Sequence, residues 1–226
     1  MSIQNLFLLA AGIINLLMSI LVFSRGVKNN KINLYFSLLT FFSFLWSIGV
    51  LLARVLVGPW WLFWAQLNYP VALAIALSFF YFSVYFPYIT KKYGKTINIL
   101  FLAIFSFFFI IVFRVGLFII GFNKDPMFTD YTLYLNKMSY ILYAIFFIVV
   151  VLISLYNLFI KYLSAEGVLR QRIKAFLIAI LVAFLLGSYF DLILPYFANF
   201  RYVWLGPIFT FLINYVVFRF IYNKTA

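Results

Sequence analysis

The run from Ile97 to Phe113 is apolar at nearly every position, and the chain repeats runs of this kind from end to end. No feature constrains the fold more. Hydrocarbon holds no water to satisfy a backbone N–H or C=O, so each embedded segment must close its own hydrogen bonds, as a helix or within a closed barrel. A helix crosses a ~30 Å hydrocarbon core with roughly 20 residues at ~1.5 Å each. Several runs reach that length. Barrel strands would alternate polar and apolar positions over ~10-residue segments, and these runs do not. The chain is 68% hydrophobic and 9% charged, with a mean hydropathy of +1.14, far from the shares of a water-soluble domain. The sequence therefore predicts an all-α integral membrane protein, one domain over residues 1–226, multi-pass in the cell membrane.

The apolar runs predict a seven-transmembrane-helix bundle with spans near 3–23, 32–53, 60–86, 97–121, 137–160, 173–195 and 204–221. No basic residue precedes the first run and no small-residue cleavage site follows it, so it reads as a retained helix rather than a signal peptide. Breakers divide the rest: a basic turn from Ser24 to Lys31, Gly58 with Pro59, and Pro87 with Lys91, Lys92 and Lys95. A polar segment from Phe122 to Asn136 and a charged stretch from Lys161 to Arg172 complete the set. Most of the 17 Lys and Arg residues fall on one side, namely Arg25, Lys28, Lys31, Lys91, Lys92, Lys95, Lys161, Arg170, Arg172, Lys174, Arg219 and Lys224. Arg54, Lys124, Lys137 and Arg201 fall on the other, and Arg114 within a span. Basic residues collect on the cytoplasmic side, so the N-terminus is expected outside and the C-terminus in the cytoplasm. Trp60, Trp61, Trp64 and Trp204 then stand at outer ends, as an interfacial belt or, in the alternative, as an aromatic cage for a cation.

Composition narrows the chemistry. There is no histidine and no cysteine, and the only acids are Asp125, Asp130, Glu166 and Asp191. The commonest metal ligands and the usual general base are thus absent, which argues against a paired-acid hydrolytic site, an intramembrane metalloprotease or an enzyme acting on lipids, so no catalytic, metal-binding or cofactor-binding residues are expected. The net charge of +13 would point to nucleic acid in a soluble protein. Here it reads as a topology signal, and the partner it implies is the bilayer.

Ionisable groups within spans are costly and usually face a protein interior, which singles out Arg114 and Asp191. Both are expected in the outer half, where they can pair or share a hydrated pocket. Arg54, Gln66 and Asn68 are expected at a similar height, and together the five are the candidate signal or ligand pocket. The alternative is that Arg114 snorkels to the headgroups and Asp191 marks a helix end. Asn15 and Asn214 are expected to form interhelical hydrogen bonds. Pro70 can kink the third span, as in the broken helices of transporters, although no matching segment accompanies it. A transporter or channel component is the alternative function.

Three stretches carry a resemblance: Glu166 to Arg172, Leu186 to Asp191, and Leu205 to Thr210 with Tyr215 and Arg219 after it. The Asn-containing basic turn from Asn29 to Asn33 adds a fourth. Together they resemble the seven-helix module at the amino terminus of bacterial sensor histidine kinases. The resemblance implies a signal-transduction module whose last helix leads to an output kinase or cyclase portion, or to a partner protein, and it is compatible with a homodimer. The family usually continues into a dimerisation helix and an ATP-binding domain, whereas this chain stops at Ala226 and holds no phosphoacceptor histidine. It is therefore not expected to act as a kinase by itself.

Overall fold

The computed structural model describes residues 2–28, 30–89, 93–124 and 131–219. Among these residues seven helical segments run in order: α1 (Ile3–Ser24), α2 (Lys31–Val55), α3 (Trp60–Tyr85), α4 (Lys95–Val112), α5 (Lys137–Ser164), α6 (Gly167–Tyr196) and α7 (Val203–Val217). The first six are long and apolar enough to cross a membrane, and α7 is shorter. Side-chain oxygens of Ser2, Asn30 and Asn136 start α1, α2 and α5 by accepting otherwise unpaired N–H groups of the first turn.

The pattern of burial is that of a bundle in lipid. Large apolar side chains such as Leu17, Leu102, Ile110, Leu152 and Leu185 face outward, while Asn5, Asn15, Ser43, Ser47, Gln66 and Ser154 are buried. Against lipid, apolar burial gives little drive, so close packing and internal hydrogen bonds hold the helices together. The α2 hydroxyls of Thr40, Ser43 and Ser47 bond back to carbonyls of their own helix, leaving a narrow polar face that α1 and α3 approach. As expected, Asn15 and Asn214 bond directly, Asn214 Nδ2 donating to Asn15 Oδ1 at 2.8 Å, and Asn15 Nδ2 donates to Thr210 Oγ1 at 2.8 Å. These bonds tie α1 to α7.

The fourth span is shorter than predicted. Helix α4 ends at Val112, and the expected helical stretch up to Gly121 instead turns at Gly116, with φ +91°, and enters strand β1 (Ile119–Lys124). Strand β1 pairs antiparallel with β2 (Tyr131–Leu135), so the all-α expectation needs one hairpin added. Hydropathy cannot separate a helix from a buried strand, and the hairpin buries Phe118, Ile119, Tyr131 and Leu133 as a helix end would. Asp125 and Asp130 lie outside the described residues, as do Lys91, Lys92 and Lys224.

The loop predicted from Lys161 to Arg172 is also mostly helix. Only Ala165 and Glu166 separate α5 from α6, and Arg170 rides the first turns of α6. Lys161 is fully buried, its Nζ donating to the carbonyls of Ser83, Val84 and Phe86 at 2.7–2.8 Å. It satisfies the carbonyls left free at the end of α3. Lys124 does the same at the other end, donating to the carbonyls of Ala53, Arg54 and Leu56 at 2.5–3.0 Å and so closing α2. Burial, and the Arg54 charge beside it, lower the Lys124 ammonium below the usual lysine range. The hairpin thereby packs at the ends of α2 and α4, at the starts of α3 and α5 and against Phe200 of the α6–α7 connection, and this side of the bundle is the hairpin end.

Candidate functional site

A cavity of about 140 Å³ opens inside the bundle toward the hairpin end, walled by α2, α3, α5, α6 and α7. Small side chains make the room: Ala65, Ala72 and Ala76 on α3, Ala183, Gly187 and Ser188 on α6, and Gly206 on α7. Tyr131 and Leu133 of the hairpin and Phe200 of the α6–α7 connection roof it. Aromatic rings line much of the rest, including Trp46, Tyr69, Tyr143, Phe147, Phe184 and Phe209.

Two helix irregularities meet at this cavity. Helix α6 loosens into a π turn over Tyr189–Ile193, with the N–H of Leu194 reaching back to the Tyr189 carbonyl. Helix α7 opens as a tightened 3-10 stretch, Val203–Phe209, of 7 residues. Such stretches rarely exceed 3–4 residues, and both kinds are frequent at functional or hinge positions. The Tyr140 hydroxyl steadies the π turn, donating to the Leu192 carbonyl at 3.0 Å and the Asp191 carbonyl at 3.3 Å. Tyr140→Phe removes that donor and is expected to cost about 1 kcal/mol, read as a lower thermal midpoint of the detergent-solubilised chain. An unchanged midpoint would show that the π turn stands without it.

Polar atoms within this wall lack protein partners. Both carboxylate oxygens of Asp191, the hydroxyl of Ser188, and the amide oxygen and nitrogen of Asn68 are buried without a hydrogen bond. An isolated buried polar group costs on the order of 1–3 kcal/mol, and more if charged. All three residues line the cavity. Two glycines accommodate them: a Cβ on Gly206 of α7 would collide with the Asp191 carboxylate, and one on Gly49 of α2 would collide with the Asn68 amide.

Of the five residues singled out in the sequence, Asn68 and Asp191 line this cavity, and the other three stand elsewhere. Arg54 is buried at the end of α2, its guanidinium donating to Asn5 Oδ1 at 3.2 Å and to Gln4. Gln66 Nε2 donates to the Val112 carbonyl at 3.2 Å, closing the end of α4. Arg114 lies past the end of α4, exposed, so the expected position within a span and pairing with Asp191 are corrected. The shortening of α4 is the physical reason: the residues after Val112 leave the bundle wall for the hairpin. Ser188, Gly49, Gly206 and Tyr140 were not among the expected site residues, since small residues and tyrosines are common in spans. The Gly187, Ser188 and Asp191 cluster ahead of Pro195 was the available signal.

Length, hydropathy and the outward apolar surface define a polytopic helical membrane protein with a largely apolar cavity in its interior that holds a few polar side chains. The chain belongs to the family described as the N-terminal 7TM region of histidine kinase, whose pattern matches residues 7–222. No curated protein matches the chain.

Proposed function

We propose that the chain is a membrane-embedded receiver in which a small molecule held in the cavity favours one of two arrangements of α7. The carrying observation is the set of unpartnered buried polar atoms on Asn68, Ser188 and Asp191 around one cavity. Family membership supports a sensory role, since the described region is the membrane portion of histidine kinases rather than their kinase portion. In this reading the hairpin end faces outward and the opposite end, rich in Lys and Arg, faces the cytoplasm of the cell membrane. Arg54 and Gln66 hold the frame around the cavity, and Arg114 stands apart from it. The output is an attached kinase or cyclase portion or a partner protein, reached through α7. Only a ligand with different affinity for the two arrangements can shift their balance.

Rewinding the 3-10 stretch of α7 to α-helix would shorten it by roughly 0.5 Å per residue, a displacement of about 3 Å over its length. The chain contains no cysteine, so spin labels on cysteines introduced at the exposed Leu163 and Phe218 report the far end of α7 against α5. Filling the cavity with Ala183→Trp is expected to move the inter-label distance by about 3 Å, on the scale of that rewinding. A distance unchanged within the width of the measured distribution overturns the reading. Solute flux into vesicles carrying the protein would instead favour transport.

A further inference from the structure

We infer that the cavity takes a small organic ammonium compound, one positively charged nitrogen on an apolar body. This rests on the reading of the cavity as a receptor site and names the chemistry of its occupant. Among the described residues Asp191 is the single Asp, Glu, Lys or Arg side chain on the cavity wall, in a protein with 17 Lys and Arg and four acids. A site for an anion would draw on the abundant cations, yet no Lys or Arg among the described residues lines it. A carboxylate in such a wall is costly unless a positive group pairs with it. The Asp191 oxygens have no such partner among the described residues, and they are buried rather than open to the lipid.

The remaining polar groups fit the same ligand. An ammonium has up to three N–H donors and no acceptor, and the unpartnered Asn68 Oδ1, Ser188 Oγ and Asp191 carboxylate can all accept. The aromatic rings of Trp46, Tyr69, Phe184 and Phe209 on the wall attract a cation through their faces and offer apolar contact to its body. A volume of about 140 Å³ limits the occupant to a small molecule.

Three probes of nearly equal shape separate the choices at neutral pH: 2-phenylethylamine as the cation, 2-phenylethanol as the neutral isostere, and phenylacetate as the anion. Binding to the full chain in lipid nanodiscs is read from the fluorescence of Trp46, with the Trp46→Phe variant as the blank, and from thermal midpoints. The amine is expected to bind at least tenfold more tightly than the alcohol, with phenylacetate weakest. In Asp191→Asn that preference is expected to fall to within about twofold while the alcohol still binds. Equal binding of amine and alcohol, an unaltered preference in Asp191→Asn, or equal stabilisation by sodium ion alone would overturn the ammonium assignment and leave the cavity as a receptor site for another class. Absence of binding by all three probes, together with an unmoved α7 in the label experiment, would overturn both.

Discussion

Lys161→Met is expected to lower the unfolding free energy by about 3 kcal/mol, which for a chain of this size moves the thermal midpoint down by roughly 6–12 °C. The buried ammonium serves the carbonyls of Ser83, Val84 and Phe86 at once. Methionine fills much the same volume but donates nothing, so three carbonyls at the end of α3 lose their partner in a place without water. Recovery of the ammonium's own desolvation cost limits the loss, which is why the expected figure stays below the sum of three separate bonds. Lys174, exposed on α6, is the control, and Lys174→Met should leave the midpoint unchanged. Comparable midpoints for both variants, measured in one detergent, would mean that α3 ends without help from Lys161.

The lysine was visible in the sequence only as one more member of a basic loop, because a charge count assumes that every charge is in water. What the sequence did reveal was whatever depends on length and apolar content. Helices α1, α2, α3 and α5 lie close to their predicted spans for that reason. The fourth and seventh segments escaped because their outcome depends on neighbours. Ile119 and Ile120 are as apolar as the helix before them, but Gly116 at positive φ turns the chain and a partner strand completes the pairing. The tightening of α7 is equally hidden, since a Gly-Pro pair such as Gly206 and Pro207 suits the first turn of an ordinary α-helix. Asp191 stands out by the cost of a carboxylate among apolar residues, and Asn68 by its expected height at the level of Asp191. Arg114 would carry the same cost inside a span, but α4 ends at Val112 and leaves it outside the helix.

The contact between Asp191 and Gly206 offers the sharpest test of how the cavity joins α6 to α7. A methyl group at position 206 would occupy the space of the carboxylate, so Gly206→Ala is expected to destabilise the chain by about 2 kcal/mol, the usual scale of an overpacked interior. The carboxylate can give way by rotating to another side-chain conformer, by leaving the π turn that positions it or by pushing α7 aside. Asp191→Ala removes the obstacle and an unpaired buried carboxylate together, and it is expected to be nearly neutral for stability. If the two residues interfere as the geometry requires, the double variant Asp191→Ala with Gly206→Ala will be more stable than Gly206→Ala alone. A coupling of at least about 1 kcal/mol is expected, since residues in contact depart from additivity by that order. Thermal or denaturant midpoints of the four proteins close the cycle. Strict additivity would mean that the π turn of α6 and the 3-10 stretch of α7 yield independently, and then α6 could not drive α7 through this contact.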